Sequence, residues 1–289
     1  MTGNTGNTGN TGNTGNTGNT GNAGGGGGWF FADRVDLPFT FAVLNGQNPP
    51  PAGAITAIRN YPDVLWDQGW KAWLVLQDFA TTNWKACPFT SAGAQQPSTP
   101  AAIAAELGNL EKAAVDERPD AMAEILGQAD EFLSYFIDVL GINTTAFPKT
   151  RRLMHIGNLV GTFAVMYYKD QFTRVRPSQL MPALMPPIVV PGHASYPSGH
   201  STQAHLVAEC VKLALPGPAA DGTLNATTVA LTAALDVLAD RIARNREIAG
   251  LHYPSDSGAG VELAGYCSGL LQGLASFNTV VTDAQSEWV

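Results

Sequence analysis

Ser195-Tyr196-Pro197-Ser198-Gly199-His200 stands just before the apolar-periodic run Ala204 to Leu215, and its reading decides that of the whole chain. Pro197 and Gly199 bracket a sharp turn. The run behind it predicts a helix whose first N–H groups, lacking intrahelical partners, point back at the turn. Helix entrances of this kind attract anions, and here a histidine stands beside the donors. Pro, Ser and Gly are also ordinary loop residues, so the meaning of the turn depends on what the rest of the chain brings to it.

Working outward, the nearest chemistry upstream is Lys169-Asp-Gln-Phe-Thr-Arg-Val-Arg176-Pro177. The separation of Lys169 and Arg176 is close to two helical turns, which predicts both cations on one face of a helix that Pro177 stops. Downstream, Arg246-Glu-Ile-Ala-Gly-Leu-His252-Tyr-Pro-Ser-Asp256 offers a permanent cation, a second histidine and a carboxylate able to fix that ring's tautomer. Lys169, Arg176 and Arg246 together balance a tetrahedral trianion such as phosphate or vanadate. Arginine grips two oxygens at once and lysine acts as a point charge. Ser198 and the Gly199 N–H add neutral donors.

Lys-x6-Arg-Pro, Pro-Ser-Gly-His and Arg-x5-His-x3-Asp, in this order across residues 150 to 275, resemble the signature of the type 2 phosphatidic acid phosphatase and vanadium-dependent haloperoxidase superfamily. The third motif departs from the common pattern at Asn245, where Ser is frequent; an asparagine amide can also donate to an oxyanion. The resemblance implies an all-α helical bundle of the acid phosphatase/vanadium haloperoxidase type. It also implies that His252 is the nucleophile or the ligand to vanadium, that Asp256 holds its other ring nitrogen, and that His200 is the acid–base partner opposite. His193 lies in Pro191-Gly-His193-Ala-Ser-Tyr-Pro-Ser-Gly-His200, a run similar to the corresponding stretch of vanadium bromoperoxidases, and is a candidate to line the pocket. His155, His205, Arg174 and Arg244 fall off the motif spacings and are expected in structural roles, the two arginines in surface salt bridges.

The chain has 289 residues, 45% of them apolar, and a formal net charge of −8, which argues against a nucleic-acid partner and for a small anionic one held in a local positive pocket. Cys87, Cys210 and Cys267 are widely spaced and read as buried thiols. Residues 1–28, a Thr-Gly-Asn repeat with a glycine run, lack the apolar content to order themselves and are expected to be a disordered tail. Residues 29–289 are expected to form one helical domain. Helices are predicted from Asp63, over Ala101 to Val115, Asp120 to Leu140, Phe147 to Phe172, Ala204 to Leu215, Thr227 to Ile248 and Ser257 to Phe277, with no strand alternation. The segment from Trp29 to Leu44 reads as extended, followed by the Pro-rich link Asn48 to Pro51.

The charge-free stretches 153–168 and 263–282 are too short or too polar for membrane spans and read as buried helices. With no signal-peptide pattern at the start, the expectation is a soluble, cytoplasmic protein. Lipid phosphatases of the superfamily span membranes and its acid phosphatases are exported. These features therefore favour a haloperoxidase-like enzyme that holds vanadate through His252 and oxidises halide with hydrogen peroxide. The alternative is a soluble phosphatase, of the phosphomonoester or phosphatidic acid type, acting through a phosphohistidine in the same pocket.

Overall fold

The computed structural model describes residue 61 and residues 65–143, 145–218 and 225–288. The expectations for the tail, for Trp29 to Leu44 and for the Asn48 to Pro51 link lie outside them. Every regular element among the described residues is helical, so the protein is all-α as predicted. Helix α1 (Gln68–Phe79) begins where the Asp67 carboxylate accepts the Gly69 N–H. Helix α2 (Pro100–Asp116) has Thr99 as its cap and Pro100 at its first position, because proline has no N–H to leave unsatisfied there.

The helix predicted over Asp120 to Leu140 is in fact two, α3 (Arg118–Asp130) and α4 (Leu133–Leu140). Glu131 leaves the helical region at φ −150°, ψ 113°, and its carboxylate accepts the Leu133 N–H at 2.6 Å, starting a new helix. The break turns Phe132 and Leu133 into the core. Gly141, at φ 62°, ends α4 in the left-handed conformation expected of a C-terminal glycine.

Helix α5 (Pro148–Phe172) does not carry both cations of its motif. It ends four residues before Arg176, where Thr173 turns left-handed at φ 48° and donates its N–H to the Lys169 carbonyl. Arg176 has extended backbone and caps the short α6 (Pro177–Leu180). The two side chains share the Ala194 carbonyl, at 3.0 and 3.4 Å, across the left-handed turn at Thr173 and not through helical periodicity.

Helix α7 (Gly199–Lys212) starts earlier than the apolar run implies, directly behind Ser198, whose hydroxyl accepts the Ser201 N–H. Helix α8 (Ala226–Ile248) follows an Asn225 cap. The predicted last helix divides at Gly273 into α9 (Pro254–Gln272) and α10 (Ala275–Gln285).

Helix α7 is buried between α5 and α9, and glycines set how closely. A Cβ on Gly157 would stand 2.8 Å from the Val207 Cα, and one on Gly260 would stand 2.6 Å from the Ser201 Cβ. Neither glycine can be replaced without pushing a helix away. One apolar cluster gathers Phe79, Leu153, Val160, Leu206, Leu263 and Phe277 from α1, α5, α7, α9 and α10. A second gathers Phe136, Val207, Val211, Leu235 and Ile242 from α4, α7 and α8. Cys87, Cys210 and Cys267 are buried thiols. Among the described residues no helix is long and apolar enough to cross a membrane. The close packing sets the N-terminal ends of α7 and α9 side by side. There the Ser198 N–H donates to the Asp256 carbonyl at 2.9 Å and the Ser201 hydroxyl to the Ser257 carbonyl at 2.8 Å.

Candidate functional site

Asp256, in the first turn of α9 and fully buried, is where the site begins. Its Oδ2 accepts from the Ser195 hydroxyl, from the Tyr253 N–H at 3.1 Å and from His252 Nδ1 at 3.1 Å, and its Oδ1 accepts from Arg174 Nη1 at 2.7 Å. A carboxylate can only accept, so His252 carries its proton on Nδ1. The other nitrogen, Nε2, lies 3.1 Å from Arg176 Nη1, and a guanidinium can only donate. Nε2 is therefore an acceptor with its lone pair on the side of the cations. Burial, then the charges of Arg176 and Lys169, push the His252 pKa well below its usual value and keep the ring neutral.

Arg176 is nearly buried and its donors are shared among the loops around it. Nε donates to the His193 carbonyl at 3.1 Å and Nη1 to the Leu251 carbonyl at 3.0 Å, while Nη2 lies 3.1 Å from His193 Nδ1. Lys169 is equally committed. Its ammonium donates to the carbonyls of Ala194 and Ser195, at 3.0 and 2.8 Å, and to that of Pro197. It thereby fastens the loop before α7 to the end of α5. Desolvation followed by the nearby Arg176 charge lowers its pKa well below the usual range.

Arg246, in the last turn of α8, is different. It is 0% exposed, its Nη2 donates to the Ile125 carbonyl of α3 at 2.9 Å, and its Nε and Nη1 have no partner among the described residues. Burial lowers it only to about 10, so it remains a cation. Two unmatched charged donors in the interior are costly unless an anion completes them. The amides of Gly199 and His200, at the head of α7, also bond to nothing else in the described chain.

His200 is part-exposed and its Nε2 lies 3.1 Å from the Gln128 carbonyl, which fixes the proton on Nε2 and leaves Nδ1 as the acceptor. Its ring stands 5.6 Å from that of Phe132, the residue turned inward at the α3–α4 break. Burial and then the Arg246 charge lower its pKa to about 3. A cleft of about 910 Å³ opens against Lys169, Arg174, Arg176 and His193, with Met166, Val175, Val190 and Pro191 as its apolar wall.

Lys169, Arg176, His193, His252 and Asp256 thus form one bonded cluster. Ser198 ties that cluster to α7, whose His200, like Arg246, bonds to a carbonyl of α3. Arg174 is not the surface residue expected. It is half-buried, donating to Asp256 at 2.7 Å, to the Ser255 hydroxyl at 2.7 Å and to Glu106 at 2.7 Å, with its guanidinium 3.8 Å from the Tyr253 ring centroid. Its spacing is wrong for a helical face, and it lies beyond the end of α5 in the irregular segment after Thr173. Arg244 does form an exposed ion pair with Glu117, and a second with the buried Glu247. His205 pairs with Asp240 on the flank of α7, and His155 is buried in α5. Asn245 does not serve the oxyanion, because its amide nitrogen is committed to Glu124 and Gln128 at 3.0 and 2.8 Å. Ser195, Glu106 and Gln128 have no signal in the sequence as site residues, since each is recruited by a partner distant along the chain or supplies an ordinary loop residue. No group of three or more His, Cys, Asp and Glu suited to a metal ion occurs among the described residues.

Burial that holds histidines neutral ties stability to pH. Between pH 6.5 and about 4 the unfolded chain protonates residues that the fold keeps neutral, His155 and His193 at about 4 and His200 at about 3. Their contribution is complete above pH 6.5 and is lost as the pH falls through that interval. Thermal melts in an anion-free buffer should show a midpoint that declines steadily from pH 7 to pH 4.5. A flat profile would contradict the burial of these rings.

No protein-family model matches the chain, and no curated protein matches it. Among solved structures it is similar to the one described as the first transmembrane PAP2 type phosphatidylglycerolphosphate phosphatase from Bacillus subtilis. The TM-score is 0.47 and the identity 20%, over 72% of this chain and 96% of that one.

Proposed function

We propose that the chain is a phosphomonoester hydrolase that works through a phosphohistidine on His252. The observation that carries the reading is a neutral His252 with its Nε2 lone pair held among buried cations, beside a cleft of about 910 Å³. A phosphomonoester brings an organic group that such a cleft can take, whereas a halide and a peroxide need no such volume. This reverses the order in which the two activities stood on the sequence alone.

In the first step the Nε2 lone pair attacks phosphorus, the P–N bond forms, and the P–O bond to the organic group breaks. His200 gives a proton from Nδ1 to the leaving oxygen. In the chain alone that nitrogen is unprotonated. A bound phosphate dianion opposes the Arg246 charge that lowers the His200 pKa, and so favours loading the ring with the proton. In the second step water attacks phosphorus, its proton returns to His200, and the P–N bond breaks to release inorganic phosphate. Throughout, Asp256 stabilises positive charge on the His252 ring. The unpartnered Nε and Nη1 of Arg246 and the amides at the head of α7 are the donors available to the equatorial oxygens of the five-coordinate transition state.

His193 favours a second reading, since its Nδ1 lies 3.1 Å from Arg176 beside the pocket. A single imidazole lone pair surrounded by cationic and amide donors fits vanadate as well as phosphate. His252 would hold it and Arg246 would neutralise it. Bound vanadate supplies activation of hydrogen peroxide toward halides.

One pair of assays separates the two activities. The purified chain is expected to hydrolyse an aryl phosphate without additives and to be inhibited by orthovanadate, which mimics the transition state. Oxidation of bromide or iodide that appears only on adding vanadate, with no phosphatase activity, would establish the second reading instead.

A further inference from the structure

A second buried side chain near Arg246 and His200 has a nitrogen without a partner among the described residues. Gln128 of α3 is 0% exposed, and its Nε2 bonds to nothing among the described residues. The orientation of its amide follows from its neighbours. Glu124 can only accept, so the Asn245 atom 3.0 Å from it is a nitrogen. The same nitrogen lies 2.8 Å from the Gln128 side chain, which must present its oxygen there and turn its two N–H donors the other way. Ile125 and Gln128 are three apart on α3, on one face. That face meets Arg246 through the Ile125 carbonyl and His200 through the Gln128 carbonyl. Buried amide donors without partners are rare, because each costs about 1–3 kcal/mol.

We propose that Gln128 Nε2 is a further donor to the bound oxyanion, supplied by α3 and aimed by Asn245. The proposal rests on the oxyanion reading of the pocket. It also gives position 245 a role: its asparagine acts through Gln128 instead of touching the anion.

The probe is orthovanadate binding by isothermal titration, with thermal midpoints measured on the same proteins. Gln128→Met keeps the volume and removes the donor. It is expected to weaken orthovanadate binding about tenfold, in line with loss of one charge-assisted hydrogen bond. Gln128→Glu keeps the acceptor that Asn245 needs, so it guards against loss of the fold, and it places a negative charge beside the anion. Its binding is expected to fall more than a hundredfold. Asn245→Ala should weaken binding a few-fold, and adding it to Gln128→Met should cost nothing further, because both changes remove the same donor. Folded Gln128→Met and Gln128→Glu proteins that bind orthovanadate like the parent chain would overturn the assignment while leaving the pocket intact. A parent chain that binds no orthovanadate would overturn the oxyanion reading and this proposal with it.

Discussion

Arg246→Met is expected to lower orthovanadate affinity by ~30- to ~3,000-fold, equivalent to ~2–5 kcal/mol, while leaving the thermal midpoint unchanged or higher. The two halves of this result have one cause. Arg246 is fully buried, and only one of its three nitrogens is bonded within the chain. Its charge is desolvated in the folded protein and is compensated when an anion arrives. Replacing a poorly compensated buried ion with an apolar side chain of similar volume is commonly neutral or stabilising. Arg176 should behave differently. Its fork holds the carbonyls of His193 and Leu251, so Arg176→Ala is expected to lower both affinity and stability. Titration calorimetry and thermal melts on both variants test the contrast. Parent-like affinity in Arg246→Met, or a drop in its midpoint as large as that of Arg176→Ala, would remove Arg246 from the anion site.

Asp256→Asn is expected to reduce kcat on an aryl phosphate by ~10³–10⁴-fold, the scale seen when a histidine loses the carboxylate that fixes its tautomer. Four donors converge on this carboxylate, from Ser195, His252, Tyr253 and Arg174. An asparagine offers one acceptor and turns an N–H₂ toward some of those donors. The His252 proton then loses its place on Nδ1, and Nε2 is no longer reliably the lone-pair nitrogen. Stability should fall as well, by ~3–5 kcal/mol, because breaking a buried charged pair leaves its partner uncompensated. Here the partner is Arg174, left with one carboxylate, that of Glu106, in place of two. Steady-state kinetics with a chemical-denaturation curve measure both quantities. A variant within tenfold of the parent kcat would mean that His252 does not need a fixed tautomer, and the nucleophilic role would fail.

The sequence by itself determined the all-helical class, because the apolar residues recur at three- and four-residue steps with caps at Thr99 and Gly141, and those signals are local. It also determined that three motifs with anion-compatible chemistry occur in one chain, since residue types and spacings are written in the primary structure. Its errors came where a local pattern was carried across a break. Helical arithmetic placed Arg176 on the face of Lys169, yet the left-handed turn at Thr173 intervenes. The apolar repeat ran through Glu131, where a side chain capping the next helix ends it.

Only the tertiary structure decided how the donors are shared. Lys169 and Arg176 look equivalent to Arg246 as charges, but the first two are bonded to carbonyls of the loops they fasten and the third is left with free N–H groups. No spacing rule announces that difference, because the carbonyls come from residues 17 to 75 positions away. Arg174, Ser195, Glu106 and Gln128 entered the site for the same reason: a hydrogen bond formed between distant segments depends on where helices cross. At Gly157 and Gly260 that crossing is set by backbone packed too closely to admit a Cβ.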